Sequence, residues 1–494
     1  MATGSASRFG RLALAIGLVG VVLRLWGFGA YGFWNDEAWV AISTRVTGVG
    51  QTLLALSVTP LGWGLLLRPL ALAGPPEVSL RSLALGFGVA TMWLAWRLGN
   101  RLAGHPAGGL FALALVALDP VSVVWSQQLK QYSAEAALAL LAVLAAMTVA
   151  RRGRAVDVAG LAVVLTLGMA LSNAQLLVAP PLLVVLAGHA LLTRDRPGLR
   201  RIAIAAAVVG LWDLAWFVVL IRPWLTPAMH TYWSGQYPPL ASARALGSFL
   251  HASGVELLAP ALGPYGVWIA LAGLIVLLAT RDGRLAALAL LLLATQLVVL
   301  SIAHQFPLGV QRVNLFLTTL LLVTTGAAAG HLVAALWTRS ALRPLAIATV
   351  GLFAAAVMSG HASSMTQSPL PEDVGPLMRQ VEMERAPGDR VLLYERSAFV
   401  WGYYRSKPPV LLPAPALANG FIVALDDPAV IVVRGNDAEQ AAARALAGAP
   451  RVWFVGSRLV PGDEAHILRA LAVGGRIVRQ ERRPRALLAL VEPR

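Results

Sequence analysis

The sequence predicts a mainly α-helical, polytopic membrane bundle of about eleven spans with outer interfacial helices, followed by a small C-terminal α/β soluble domain. Three observations point there. Of 494 residues, 57% are hydrophobic and 13% charged, and mean hydropathy is +0.70, more apolar surface than a soluble interior of this size takes up. Acidic residues avoid the first three quarters: ten of the 24 lie in residues 1–363 and fourteen in the remaining 131. Several windows of about 20 residues hold no charge, long enough for a helix to cross the hydrocarbon layer. The chain is therefore expected to divide into an embedded part, 1–363, and a soluble part, 364–494.

Along the chain, apolar windows place spans near residues 11–29, 82–97, 106–125, 134–150, 155–172, 174–192, 202–220, 263–280, 285–303, 313–336 and 343–360. Arg8 and Arg11 precede the first, and no small-residue cleavage site follows it, so it is expected to be retained. Basic residues orient the series. With the N-terminus in the cytoplasm, inner segments hold fifteen arginines, including Arg151, Arg152, Arg154, Arg194, Arg196, Arg200 and Arg201. The longer outer segments hold seven basic residues: Arg45, Arg68, Arg81, Lys130, Arg222, Arg244 and Arg312. Counting Pro60 to Ala73 as a span would reverse this bias; at about 14 residues with Arg68 inside, it fits a helix lying along the outer interface.

Long outer loops are expected at about 30–80, containing YGFWNDEAW, and about 221–262, rich in proline and aromatics. The tail alternates apolar runs (RVLLY, AVIVVRG, RVWFVG) with helix-like segments (EDVGPLMRQVEMER, NDAEQAAARALAG) and has neither GxGxxG nor a P-loop. The net charge of +16 arises from 23 basic against 10 acidic residues in the embedded part and 17 against 14 in the tail. Cytoplasmic loops account for this basicity, which leaves nucleic acid no role as a partner. The absence of cysteine excludes disulfides and thiolate metal sites. No ligand group has metal-binding spacing, and the sequence leaves only a divalent cation open as a cofactor.

Asp36 and Glu37, flanked by Trp34 and Trp39, lie just beyond the first span. Adjacent carboxylates at the outer surface suit a general base acting on a substrate delivered from the bilayer; the plain alternative is a helix start capped by Asn35 or Asp36. Lys130, Tyr132 and Glu135 gather at an outer helix end, where the alternative is a Lys130–Glu135 ion pair. Arg312 offers a planar donor fork to a phosphate, or snorkels to the interface. Arg24 and Asp213 fall within spans and are expected to pair with each other or with backbone.

Taken in order, FWNDEAW, TPLGWGLLL, PEVSLRSLAL, DPVSVVWSQQLKQYSAEAAL and HQFPLGVQRVNLFL resemble the GT-C class of membrane glycosyltransferases. The pattern is similar to the bacterial branch related to protein O-mannosyltransferases and lipid A aminoarabinose transferases. It covers most of residues 10–320, and APGDRVLLYERSAFVWGYY resembles the extracytoplasmic domain often appended to such proteins. The resemblance implies that Asp36 is the catalytic carboxylate and that Glu37 completes a DE pair. It matches Lys130 and Tyr132 to the family's basic residue and tyrosine after the third span, and Glu135 to its second acidic position. Thr59 stands where the family often has lysine or histidine, which leaves Lys130 and Arg312 as the phosphate contacts. The resemblance also implies a polyprenyl-phosphate or pyrophosphate sugar donor held among membrane lipids, and a lipid, glycan or protein acceptor. Transfer would be inverting, in the plasma (inner) membrane, with site and tail facing the cell envelope. Because every matched donor-site position precedes Leu315, the tail is expected to be dispensable for the chemical step.

Two other classes share parts of this profile. A transporter or lipid flippase would show discontinuous helices in corresponding halves and ionisable residues at mid-membrane depth, and the sequence has no internal repeat and few such residues. A noncatalytic membrane scaffold would not need the Asp36–Glu37 pair.

Overall fold

The computed structural model describes residues 2–365 and 372–494. In chain order, the first part contains α1 (Ala2–Leu25), α2 (Asn35–Ile42), α3 (Val49–Ala55), α4 (Leu61–Leu70), α5 (Pro76–Ser79), α6 (Arg81–Ala103), α7 (Pro106–Leu118), α8 (Pro120–Ser126) and α9 (Tyr132–Arg152). It continues through α10 (Ala155–Leu171), α11 (Gln175–Leu192), α12 (Arg196–Trp216), α13 (Pro227–Tyr232), α14 (Ala243–Leu262), α15 (Gly266–Ala279), α16 (Arg284–Ile302), α17 (Leu315–Trp337) and α18 (Arg343–Met365). Local signals set several ends. Asp119 caps α8 by accepting from the amides of Val121 and Ser122 at 3.4 and 2.9 Å, and Pro120 occupies its first turn. Gly153, in the left-handed conformation at φ 60°, stops α9 after Arg151 and Arg152.

Each apolar window of the sequence finds a helix. By length and composition, eight helices among the described residues can cross a membrane, or nine if the α7–α8 pair, bent by 62°, forms one broken span. Helices α10 and α15 are shorter apolar helices, and α1 carries Arg8, Arg11 and Arg24. One finding departs from the sequence reading: the expected 221–262 loop contains α14, 20 residues long and apolar enough to be one of the eight. Its polar positions, Ser248, His251, Ser253 and Glu256, are spread along the segment, so it reads as a loop when charge and proline are counted and as a helix when pitch is followed. The expected interfacial segment Pro60–Ala73 is the ten-residue α4, too short to span.

Contact clustering separates two compact units: Met1–Trp26, Pro60–Trp63 and Arg81–Ser368 in one; Gly27–Thr59, Gly64–Leu80 and Pro369–Arg494 in the other. In the first, α7 and α17 approach through small residues. A Cβ on Gly330 would stand 2.3 Å from the Gly108 nitrogen, and one on Gly326 would stand 2.5 Å from the Ala112 nitrogen. Glycines four residues apart thus let two backbones touch, as membrane helices need when no hydrophobic effect drives them together. Arg24 is buried and donates to the carbonyls of Gly20, Val116 and Ala117 at 2.9–3.0 Å. Of the two pairings expected for Arg24, the structure shows the one with backbone. Asp213 is buried, and its Oδ1 has no hydrogen-bond partner among the described residues.

The second unit holds the tail elements α19 (Gly375–Glu384), β1 (Arg390–Tyr394), α20 (Ala398–Tyr404), β2 (Leu411–Pro413), β3 (Phe421–Val423), β4 (Val430–Val433), α21 (Ala438–Leu446), β5 (Val452–Ser457), α22 (Asp463–Gly474), β6 (Gly475–Arg483) and β7 (Ala486–Pro493). Its main sheet runs β4-β1-β5-β7-β6, with β1 parallel to β4 and β5, and β7 antiparallel to β5 and β6. Leu392, Val452 and Phe454 of the sheet pack on Ala441 and Ala445 of α21 and on Ile467 and Leu471 of α22. This is the mixed α/β pattern expected of the tail. The loop elements α2 and α3 belong to the same unit: α2 packs against α20, and Gln51 pairs with both backbone groups of Leu411 at 2.7 and 3.0 Å.

Candidate functional site

Asp36 and Glu37 occupy the first turn of α2, where the unpaired amides of a helix start favour negative charge. Trp34 stands at the N-cap and makes no side-chain capping bond, so neither Asn35 nor Asp36 caps the helix as the plain alternative had it. Asp36 is half-buried, whereas Glu37 is 0% exposed. Phe33 is buried before them, with its ring 5.2 Å from that of Tyr403 in an edge contact. Trp39 lies 6.2 Å from Phe399 and 6.0 Å from Phe421. These contacts fix the direction in which α2 leaves the loop.

Two side chains distant in sequence hold the backbone just before the pair. Asp373 Oδ1 accepts from the Gly32 amide at 2.9 Å, and Tyr404 Oη accepts from the Phe33 amide at 2.9 Å. Each holder is itself tied down. Asp373 Oδ2 accepts from Arg483 at 3.0 Å, and the Tyr404 hydroxyl donates to Glu77 at 2.7 Å, where Arg379 also binds. Burial, reinforced by the negative charge of Glu77, holds the Tyr404 phenol far above its ordinary range, so it stays a donor to Glu77 while accepting from Phe33. Burial, with Asp36 adding to it against Arg458, raises the Glu372 carboxyl.

In the other unit, Lys130, Tyr132 and Glu135 share the turn into α9, and Lys130 and Glu135 are 6% and 5% exposed. Tyr132 meets Trp125 edge-on at 5.0 Å, packed on Val121, Ala136 and Leu315. Arg312 donates to the Tyr232 hydroxyl at 3.2 Å and lies 5.8 Å from the Trp233 ring centre, so its fork is oriented by two aromatic residues of the 221–262 segment. Thr59 is buried. Among the described residues, no group of three or more His, Asp or Glu side chains is placed to hold a metal.

Sequence reasoning selected Asp36, Glu37, Lys130, Tyr132, Glu135 and Arg312, and passed over Glu372, Asp373, Tyr404 and Glu77. The signal for the last four was weak: PEVSLRSLAL and the tail's GYY were noticed only as family-like stretches, and EDV only as a helix start.

With the fold and these positions described, comparison gives consistent relatives. The family described as dolichyl-phosphate-mannose-protein mannosyltransferase matches residues 59–218. The crystal structure of ArnT from Cupriavidus metallidurans bound to undecaprenyl phosphate is similar over 99% of this chain and 98% of its own, at 16% identity and a TM-score of 0.55. The archaeal oligosaccharyltransferase AglB from Archaeoglobus fulgidus, in complex with an inhibitory peptide and a dolichol-phosphate, is similar over 91% of this chain and 69% of its own, at 13% identity and a TM-score of 0.52. No curated protein sequence matches. The fold is similar to that of ArnT, a multi-pass helical bundle with a small C-terminal mixed sheet. The resemblance to the mannosyltransferase family lies in residues 59–218, within the helical part.

Proposed function

We propose that this protein transfers a monosaccharide from a polyprenyl-phosphate donor to an extracytoplasmic lipid, glycan or protein acceptor, with inversion, and that Asp36 is the base. Asp36 takes the proton of the acceptor hydroxyl as that oxygen attacks the anomeric carbon. The bond from that carbon to the phosphate oxygen breaks on the opposite face, and the lipid phosphate leaves with the electron pair. Lys130 and Arg312 bind the lipid phosphate and stabilise the charge it gains, most effectively where water is excluded. Glu37, Tyr132 and Glu135 line the substrates. Residues 1–363 are the embedded catalytic part and 364–494 an extracytoplasmic α/β part, in the plasma membrane with the N-terminus inside.

The observation that carries this reading is the presentation of Asp36: a half-buried carboxylate in the first turn of α2, after a backbone stretch held by two side chains of the tail, beside a fully buried Glu37. The undecaprenyl phosphate bound by ArnT and the dolichol-phosphate and peptide bound by AglB support the donor and acceptor classes.

The test uses purified protein in lipid nanodiscs, undecaprenyl-phosphate-linked hexoses and pentoses of defined anomeric configuration, and a membrane extract as acceptor source. Transfer from at least one donor with inverted configuration in the product, read by NMR, is expected. Retention of configuration, or no transfer from any donor, overturns the proposal.

A further inference from the structure

We propose that Asp373 and Tyr404, both in the tail, are positioning residues for the transfer reaction: they hold the backbone amides of Gly32 and Phe33 and so fix the direction of Asp36. The proposal rests on the reading of Asp36 as the base. It replaces the expectation, drawn from sequence, that the tail is dispensable for the chemical step.

Gly32, Phe33 and Trp34 lead directly into α2, and two of their amides end on oxygens of the tail. The N-cap residue Trp34 offers α2 no side-chain oxygen, so the direction of the helix start depends on how this stretch is held. Gly32 also passes so close to the tail that a Cβ there would stand 2.8 Å from the Gly375 Cα. The stretch is therefore seated against the start of α19, just after Asp373 in sequence.

The holders are braced rather than floppy. Asp373 is bound by Arg483, and its own amide donates to the Pro484 carbonyl at 3.0 Å. Tyr404 is fixed by Glu77 and lies against Arg379, whose guanidinium carbon is 4.9 Å from the ring centre. An amide caught by a carboxylate is a charge-assisted bond, stronger than a neutral one. One such bond and a phenol oxygen on successive amides restrict how the first turn of α2 can start. A general base must meet its proton within hydrogen-bond reach, so a base whose helix start can shift loses rate without losing substrate.

The test compares kcat and KM for the undecaprenyl-phosphate sugar that the wild-type protein uses best. Asp373→Ala should lower kcat about tenfold or more at unchanged donor KM, because a displacement of about 1 Å at a reacting group costs that order of rate. Asp373→Asn, which keeps an acceptor oxygen, should restore most of it. In an Asp36→Asn background the alanine change should have no further effect, since it acts through Asp36. Wild-type kcat in the alanine variant, or a loss that multiplies with that of Asp36→Asn, overturns the positioning role and leaves the base assignment standing. Full transfer by Asp36→Asn overturns both. Should the alanine variant not fold, Tyr404→Phe removes a single oxygen. Faster hydrogen exchange confined to residues 32–42 of the full chain, with lowered kcat, is then the supporting result, and unchanged exchange the overturning one.

Discussion

Lys130 and Arg312 are the cations proposed to meet the lipid phosphate. Lys130 is 6% exposed at the start of α9, and a buried ammonium is costly unless an anion or dipole meets it. Arg312 is held by the Tyr232 hydroxyl beside the Trp233 ring. If both receive the lipid phosphate, alanine at either position removes a charge-assisted contact worth about 1.5–3 kcal/mol, which weakens undecaprenyl phosphate binding about tenfold or more. Titration of the purified variants with undecaprenyl phosphate, reading Kd, checks this; unchanged Kd in both removes them from the donor site. At this scale the sequence singles out candidates only by local pattern: Asp36 and Glu37 because an acidic pair between tryptophans at a membrane surface is unusual, and Lys130, Tyr132 and Glu135 because they crowd one helix end. Asp373 gives no such signal, because a carboxylate that binds an amide 341 residues away has no local pattern.

Helices show the same division. Apolar windows located the long helices because the hydrocarbon layer demands about 20 apolar residues whatever the partner. What they could not show is which faces touch, and α14 was hidden because its serines, histidine and glutamate break up the apolar run. The α7–α17 crossing is decided by glycine. Gly330→Leu would drive a side chain into the Gly108 backbone, and α17 cannot retreat without opening the core, so a cost of at least about 1–3 kcal/mol is expected. Gly210→Leu, where nothing lies within 4 Å of a Cβ, is the matched control. Thermal unfolding of the detergent-solubilised proteins should show a lower Tm for the first and an unchanged Tm for the second. Equal Tm values would mean that the two backbones are not in contact.

For the whole chain, the sequence conveyed orientation through charge rather than through packing. Fifteen arginines on one set of connections against seven basic residues on the other give the expectation that the N-terminus lies inside and, after an odd number of crossings, the tail outside. Helix α14 makes this parity a real question, because one more full crossing would send residues 372–494 to the cytoplasm. A reporter active only in the cytoplasm, fused after Arg494, should stay silent; strong signal would show that α14 crosses completely. Charge bias could not reveal that residues 27–59 and 64–80 cluster with 369–494. That association is built from the Gln51–Leu411 pairing, the Glu77–Tyr404 bond and the amide contacts of Gly32 and Phe33, each joining segments more than 300 residues apart.

The central claim is that Asp36 removes the acceptor proton while other groups hold the donor. Asp36→Asn keeps the shape and one acceptor oxygen at the start of α2 but abolishes basicity. Transfer and undecaprenyl phosphate binding are measured on the same folded preparation. The account predicts that transfer falls about 100-fold or more while Kd for the lipid stays at the wild-type value. Near wild-type transfer by that donor-competent variant would contradict it.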